Sequence, residues 1–80
     1  MDILMPRLGL TMETGLVVRW HVKVGEKFSK GQELLDIESD KVSNTVEARF
    51  PGFLTEIIVD EGQECNVGSV IAKAEKNEDD

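Results

Sequence analysis

The chain is poor in the residues on which most catalytic sites are built. Its 80 residues include one cysteine, one histidine and no tyrosine, and aromatic residues make up 5%. A single cysteine, Cys65, excludes an internal disulfide and suits a reducing compartment. No group of His, Cys, Asp or Glu has metal-ligand spacing, and the glycines fit no phosphate-cradling motif. No apolar run approaches the roughly 20 residues needed to cross a bilayer, and the N-terminus lacks a charged-then-apolar leader pattern. Basic residues are also scarce, 9 against 16 acidic ones, for a net charge of −7. Such a surface repels phosphate backbones and anionic lipid and attracts basic partners. The expectation is a soluble module, not itself an enzyme, with no nucleic-acid or membrane partner.

What the chain has is a repeat. Shifted by 37 positions it aligns with itself without a gap, Gly15 falling on Gly52, Gly25 on Gly62 and Gly31 on Gly68. Apolar positions follow: Leu16 with Phe53, Trp20 with Ile57, Val22 with Val59, Phe28 with Cys65, Leu34 with Ile71, Ile37 with Ala74. Matched glycines imply matched turns, because glycine is favoured where φ is positive. Two copies are too few for a solenoid, which needs about three repeats, so they must bury their faces on each other about a pseudo-twofold axis.

The period within each copy is that of strands. Leu16, Val18, Trp20, Val22 and Val24 alternate with Val17, Arg19, His21 and Lys23, and Phe53 to Val59 repeats this less strictly. Val42, Asn44, Val46, Ala48 and Phe50 alternate with Ser43, Thr45, Glu47 and Arg49. Asp2–Met5 reads as an opening strand ended by Pro6, the stretch Arg7 to Thr14 as a loop, and Pro51-Gly52 as a turn. No window supports an amphipathic helix. The predicted fold is all-β: two small sheets face to face as a flattened barrel in one domain, residues 1–75, with residues 76–80 opening an acidic linker.

Three residues could carry chemistry. His21 lies on the polar face of its strand, where a solvated side chain is the plain reading. Cys65 takes the repeat position of Phe28 and sits among Asp60, Glu61 and Glu64, which suits a small buried hydrophobe better than a reactive thiolate. Lys41 follows Asp40 in a turn between Glu33–Ile37 and Val42–Phe50, and the second copy runs out where the first turns back. A side chain at a hairpin tip projects from a body held by backbone pairing. Position alone leaves open both a solvated turn lysine and a lysine singled out for acylation among five others.

The motifs resemble the lipoyl domain of 2-oxo acid dehydrogenase complexes over about residues 2–75. They are Met5-Pro6-Arg7-Leu8-Gly9-Leu10-Thr11-Met12, Val24-Gly25-Glu26-Lys27-Phe28-Ser29-Lys30-Gly31-Gln32, Glu38-Ser39-Asp40-Lys41-Val42, and Pro51-Gly52. Glycine turns are shared with biotinyl carriers, which set their lysine between two methionines; Asp40-Lys41-Val42 resembles the lipoyl form. The resemblance implies a barrel-sandwich hybrid of two four-stranded antiparallel sheets, with the termini at one end and the attachment hairpin at the other. It implies lipoate in amide linkage on Lys41, flanked by Asp40 and Val42 as recognition residues, and a formal charge that falls from −7 to −8.

The implied partners are a lipoate-attaching enzyme, a thiamine-diphosphate decarboxylase, an acyltransferase core and a flavin dehydrogenase. The parent chain would be a dihydrolipoamide acyltransferase, and the isolated domain a monomer. Leu8, Gly9, Leu10, Thr11, Met12, Glu13 and Thr14 form the loop that, in the family, lies beside the hairpin and helps the decarboxylase recognise the domain. Thr14 stands where the family often has Glu, which bears on partner specificity and not on attachment. The Met-Pro-x-Leu-x-x-Thr-Met form is similar to pyruvate- and acetoin-type complexes. The implied compartment is a bacterial cytoplasm, with a mitochondrial matrix the alternative. Rival readings are a biotinyl carrier and an unmodified interaction module of the same fold.

Overall fold

Gly25 and Gly62, 37 residues apart, have φ of 89° and 85°, a region that L side chains resist, and each donates its N–H across the molecule to the other copy. Gly25 N bonds the Leu54 carbonyl at 2.6 Å and Gly62 N bonds the Val17 carbonyl at 2.8 Å. These reciprocal bonds are the signature of a twofold axis. They join two sheets in the computed structural model, which describes residues 1–40 and 42–77.

All elements among the described residues are strands: β1 (Asp2–Leu4), β2 (Thr14–Trp20), β3 (Lys27–Phe28), β4 (Glu33–Ser39), β5 (Val42–Glu47), β6 (Gly52–Ile57), β7 (Glu64–Asn66) and β8 (Val70–Lys76). They form two four-stranded antiparallel sheets, ordered β5-β4-β2-β7 and β1-β8-β6-β3. The twofold exchanges them, so β2 matches β6, β3 matches β7 and β4 matches β8. The edge strand β5 is matched by β1, which comes from the start of the chain. Thus Gly31 N bonds Ala48 O, and its twin Gly68 bonds Met5 O. The expected fold class holds, and the repeat proves to be circularly permuted.

The core lies between the sheets. Val17, Leu35, Ile37, Leu54, Ile71 and Ala72 are fully buried, with Met5, Val22, Phe28 and Ala74 beside them. Twin positions are buried alike there: Val17 and Leu54, Leu35 and Ala72, Ile37 and Ala74. Burying a side chain the size of Val or Leu contributes about 1.5–3 kcal/mol, so this layer is what holds the sheets together. Trp20, half-buried, ties the copies further by donating its indole N–H to the Val59 carbonyl at 3.0 Å.

Three expectations from the pattern change. The alternation from Leu16 to Val24 is not continuous: Val17 is buried and Val18 is 44% exposed. The β2–β4 register skips Val18, pairing Val17 with Ile37 and Arg19 with Asp36; this bulge reverses the inward face partway along the strand. Thr55 is skipped in the same way in the second copy. Next, Gly15 and Gly52 are not turn glycines. Both are buried strand residues, where a Cβ would strike the Met5 sulfur (2.6 Å) and the Glu75 carbonyl oxygen respectively. The turn expected at Pro51-Gly52 falls earlier, at Arg49-Phe50, and Gly52 opens β6. Last, β8 runs through Glu75 to Lys76, and Asn77 N bonds the Pro51 carbonyl at 2.8 Å, so pairing continues past residue 75. Of the linker expected from residue 76, residues 78–80 lie outside the described residues.

Candidate functional site

The β4–β5 ribbon outreaches the core. Ile37 is the last buried residue of β4, and β5 has none until Ala48 follows it. Ser39 pairs with Val42, closing a two-residue turn in which Asp40 has φ of 51°. Aspartate tolerates this left-handed conformation better than most residues, because its short carboxylate can bond nearby backbone. Asp40 is exposed and Val42 is 54% exposed. Lys41, the expected attachment residue, lies outside the described residues. Its two neighbours mark an open tip.

The hairpin and the end of β8 occupy opposite ends of the molecule. The tip adjoins the start of β2, through Leu16 paired with Glu38. The end of β8 adjoins the start of β6, through Gly52 paired with Lys76. Since Gly25, beyond the end of β2, bonds Leu54 near the start of β6, these two places lie far apart along the long axis of a body 38 Å in extent. The Met1 ammonium bonds the Ala74 carbonyl at that far end.

The Leu8–Thr14 loop divides by role. Met12 is buried and Leu8 half-buried, so these two anchor it, and the Leu8 N–H donates to the Met12 sulfur at 3.1 Å. Gly9, Leu10, Thr11 and Glu13 face solvent, Leu10 at 95% exposure. Arg7 holds the outward turn by donating to the Leu10 carbonyl at 3.0 Å. Thr14 meets the hairpin directly: the Ser39 hydroxyl donates to its carbonyl at 3.1 Å. This link is the site feature that composition and spacing did not pick out. Its one signal is a hydroxyl residue beside a turn.

The other candidates fall elsewhere. His21 is exposed, as expected, and its Nε2 lies 3.0 Å from Asp36, whose same carboxylate oxygen accepts the Thr45 hydroxyl at 2.8 Å. Those two hydrogen bonds, His21 first, hold the Asp36 carboxyl below its usual range. Cys65 is half-buried where its twin Phe28 is fully buried. Burial, and then the Glu64 charge, push its thiol up, which disfavours the reactive thiolate. Among the described residues, no group of three His, Cys, Asp or Glu could hold a metal ion.

A two-sheet body with one outreaching hairpin and an anchored loop beside it is the architecture of a carrier domain. The family model for biotin- and lipoyl-bearing domains, described as biotin-requiring enzyme, matches residues 1–74, and the chain belongs to that family. One similar protein is the dihydrolipoyllysine-residue acetyltransferase component 5 of the chloroplastic pyruvate dehydrogenase complex of Arabidopsis thaliana. It is 40% identical over 79 residues, covering 99% of this chain and 17% of that protein. The mitochondrial pyruvate dehydrogenase protein X component of Mus musculus is 44% identical over 79 residues (96% and 16%). The acetyltransferase component of the acetoin cleaving system of Pseudomonas putida is 40% identical over 68 residues (85% and 18%). The chain thus spans less than a fifth of these relatives. The solution structure of the lipoyl domain of the Azotobacter vinelandii 2-oxoglutarate dehydrogenase complex superimposes with a TM-score of 0.80 at 33% identity, covering 94% of this chain and 95% of that one. In fold and in sequence this is a lipoyl-type carrier domain.

Proposed function

We propose that Lys41 carries lipoate in amide linkage and that the domain presents it in turn to a thiamine-diphosphate decarboxylase, an acyltransferase core and a flavin dehydrogenase. The observation that carries this reading is the single outreaching turn, with Asp40 and Val42 exposed on either side of the lysine. When bound, the group supplies a disulfide that accepts and releases an acyl unit together with two electrons. The protein's own part is mechanical and electrostatic. The paired strands hold the turn away from the body, the loop is anchored beside it by Leu8 and Met12, and the acidic surface favours basic partner faces. Tethering in a larger chain would raise the effective concentration of the arm at each partner. Catalysis would then reside in those partners, the domain itself being non-catalytic.

Asp40 and Val42, in place of methionines, favour lipoate over biotin, and the acetyltransferase relatives favour a pyruvate- or acetoin-type complex. The bacterial relative from an acetoin system supports a cytoplasmic setting. The folding unit would run through Asn77, since β8 and its pairing extend past residue 75, and an acidic linker would follow it. The test is the intact mass of protein made in cells supplied with lipoate. A lipoyl increment is expected on the parent and none on Lys41→Gln. A biotinyl increment, or a lipoyl increment that survives the substitution, would refute the assignment.

A further inference from the structure

The two ends of the pseudo-symmetric body solve one bonding problem differently. At the chain-end junction the carbonyl of Pro51 accepts the backbone N–H of Asn77 at 2.8 Å. Its twin carbonyl, 37 positions earlier, belongs to Thr14, and the residue equivalent to Asn77 is Asp40. Asp40 is turned into the left-handed region. There the Thr14 carbonyl accepts a side chain instead, the Ser39 hydroxyl at 3.1 Å. This bond sits where support is thin. The β2–β4 pairing has ended one residue before, at Leu16 and Glu38, and β5 is an edge strand. Beyond Glu38, no β2–β4 backbone pair is formed among the described residues. The other end of Thr14 is fixed: it pairs with Asn66, and the adjacent Glu13 carbonyl accepts the Val67 N–H at 2.9 Å.

From this geometry we infer that Ser39 is a positioning residue: its hydroxyl locks the attachment turn to the Leu8–Thr14 loop, so that a modifying enzyme meets turn and loop as one surface. The inference deepens the carrier reading and rests on it for its enzymatic consequence. Without the hydroxyl, the turn would swing on the two strands of the ribbon alone, and the lysine would be correctly placed for a smaller fraction of encounters. That loss falls on productive binding, not on the chemical step.

The test compares Ser39→Ala and Ser39→Thr with the parent, using lipoate, ATP and a lipoate–protein ligase as the probe, alongside backbone relaxation of the Asp40 and Val42 amides. For Ser39→Ala the KM for the carrier domain should rise about 3–10-fold with kcat within about twofold, the pattern expected when binding geometry and not chemistry is lost. The order parameter at Val42 should fall from about 0.85 toward 0.6. Ser39→Thr, which keeps the hydroxyl on a β-compatible side chain, should restore both. An unchanged KM, an unchanged order parameter, or a threonine variant that behaves like alanine would each overturn the inference. If the parent itself takes no lipoate, the assignment of Lys41 fails, while the order parameters still decide the role of Ser39.

Discussion

The two ends of the body are built from equivalent strands yet do opposite things. At one, β1 and β8 are joined by backbone bonds that include Met1 N to Ala74 O and Ala74 N to Met1 O. At the other, β4 and β5 are continuous and turn through Asp40. The same frame occurs twice; β4 and β5 are joined by a turn where β8 and β1 are not, and that turn is the candidate site. The core is shared between the halves, whereas the site belongs to one. Substitutions at twin positions should therefore behave alike in the core and differ near the turn.

The largest departure from that rule is expected at Gly15 and Gly52. A Cβ at Gly52 would drive into the Glu75 carbonyl, with the Glu75 carbonyl carbon and Lys76 Cα close behind, all backbone. At Gly15 the obstacles are the ends of Met5 and Met12, which can rotate away. Gly52→Ala should cost about 3 kcal/mol and Gly15→Ala about 1 kcal/mol, by the usual range for overpacking. Urea midpoints of the two variants measure it. Equal costs would mean that the two strand glycines do the same work after all.

The turn glycines should obey the rule. Gly25 and Gly62 both have open space where a Cβ would go, so the cost of alanine there is backbone strain alone. Each substitution should destabilise by about 1–2 kcal/mol, and by the same amount within error. Lys41→Gln should shift stability by less than about 0.5 kcal/mol, as surface changes between exposed neighbours do. Thermal midpoints check both statements. A clear inequality between Gly25→Ala and Gly62→Ala would break the equivalence of the copies.

These contrasts also show what the sequence could reveal. The glycine spacing exposed the repeat, because positive φ leaves a residue-type mark, and the alternation exposed strands. The Asp-Lys turn stood out because its twin position has no return. The bulges at Val18 and Thr55 left no mark: Leu16-Val17-Val18 is apolar on both faces, so a reversal of inward direction cannot be told from regular alternation. The match of β1 to β5 was hidden for another reason. It falls at a different offset, 43 positions, and rests on short stretches such as Ile3 against Val46 and Met5 against Ala48. The strand glycines Gly15 and Gly52 look the same in sequence as the turn glycines, since close approach of a distant carbonyl or methionine is a tertiary fact. Ser39 is ordinary turn chemistry until its distant acceptor is known.

The smallest contrast concerns charge. Asp36 and its twin Lys73 occupy equivalent places, but only Asp36 is held by hydrogen bonds from His21 and Thr45, which lower its pKa from the ordinary 3.8. A carboxyl whose pKa falls on folding stabilises the native state above its unfolded pKa, and that contribution disappears as pH falls through the folded value. Arg19, paired with Asp36 across β2 and β4, acts in the same direction. The parent should therefore lose stability on acidification below about pH 4 more steeply than Asp36→Asn, with the two curves converging at the acid end. Because Asp36 is partly solvated, the difference should be small, and high salt should shrink its charge-dependent part. Urea midpoints from pH 6 down to pH 2.5 measure it. Parallel curves would place the acid sensitivity in other carboxylates and leave the His21–Asp36–Thr45 cluster without an energetic role in this copy.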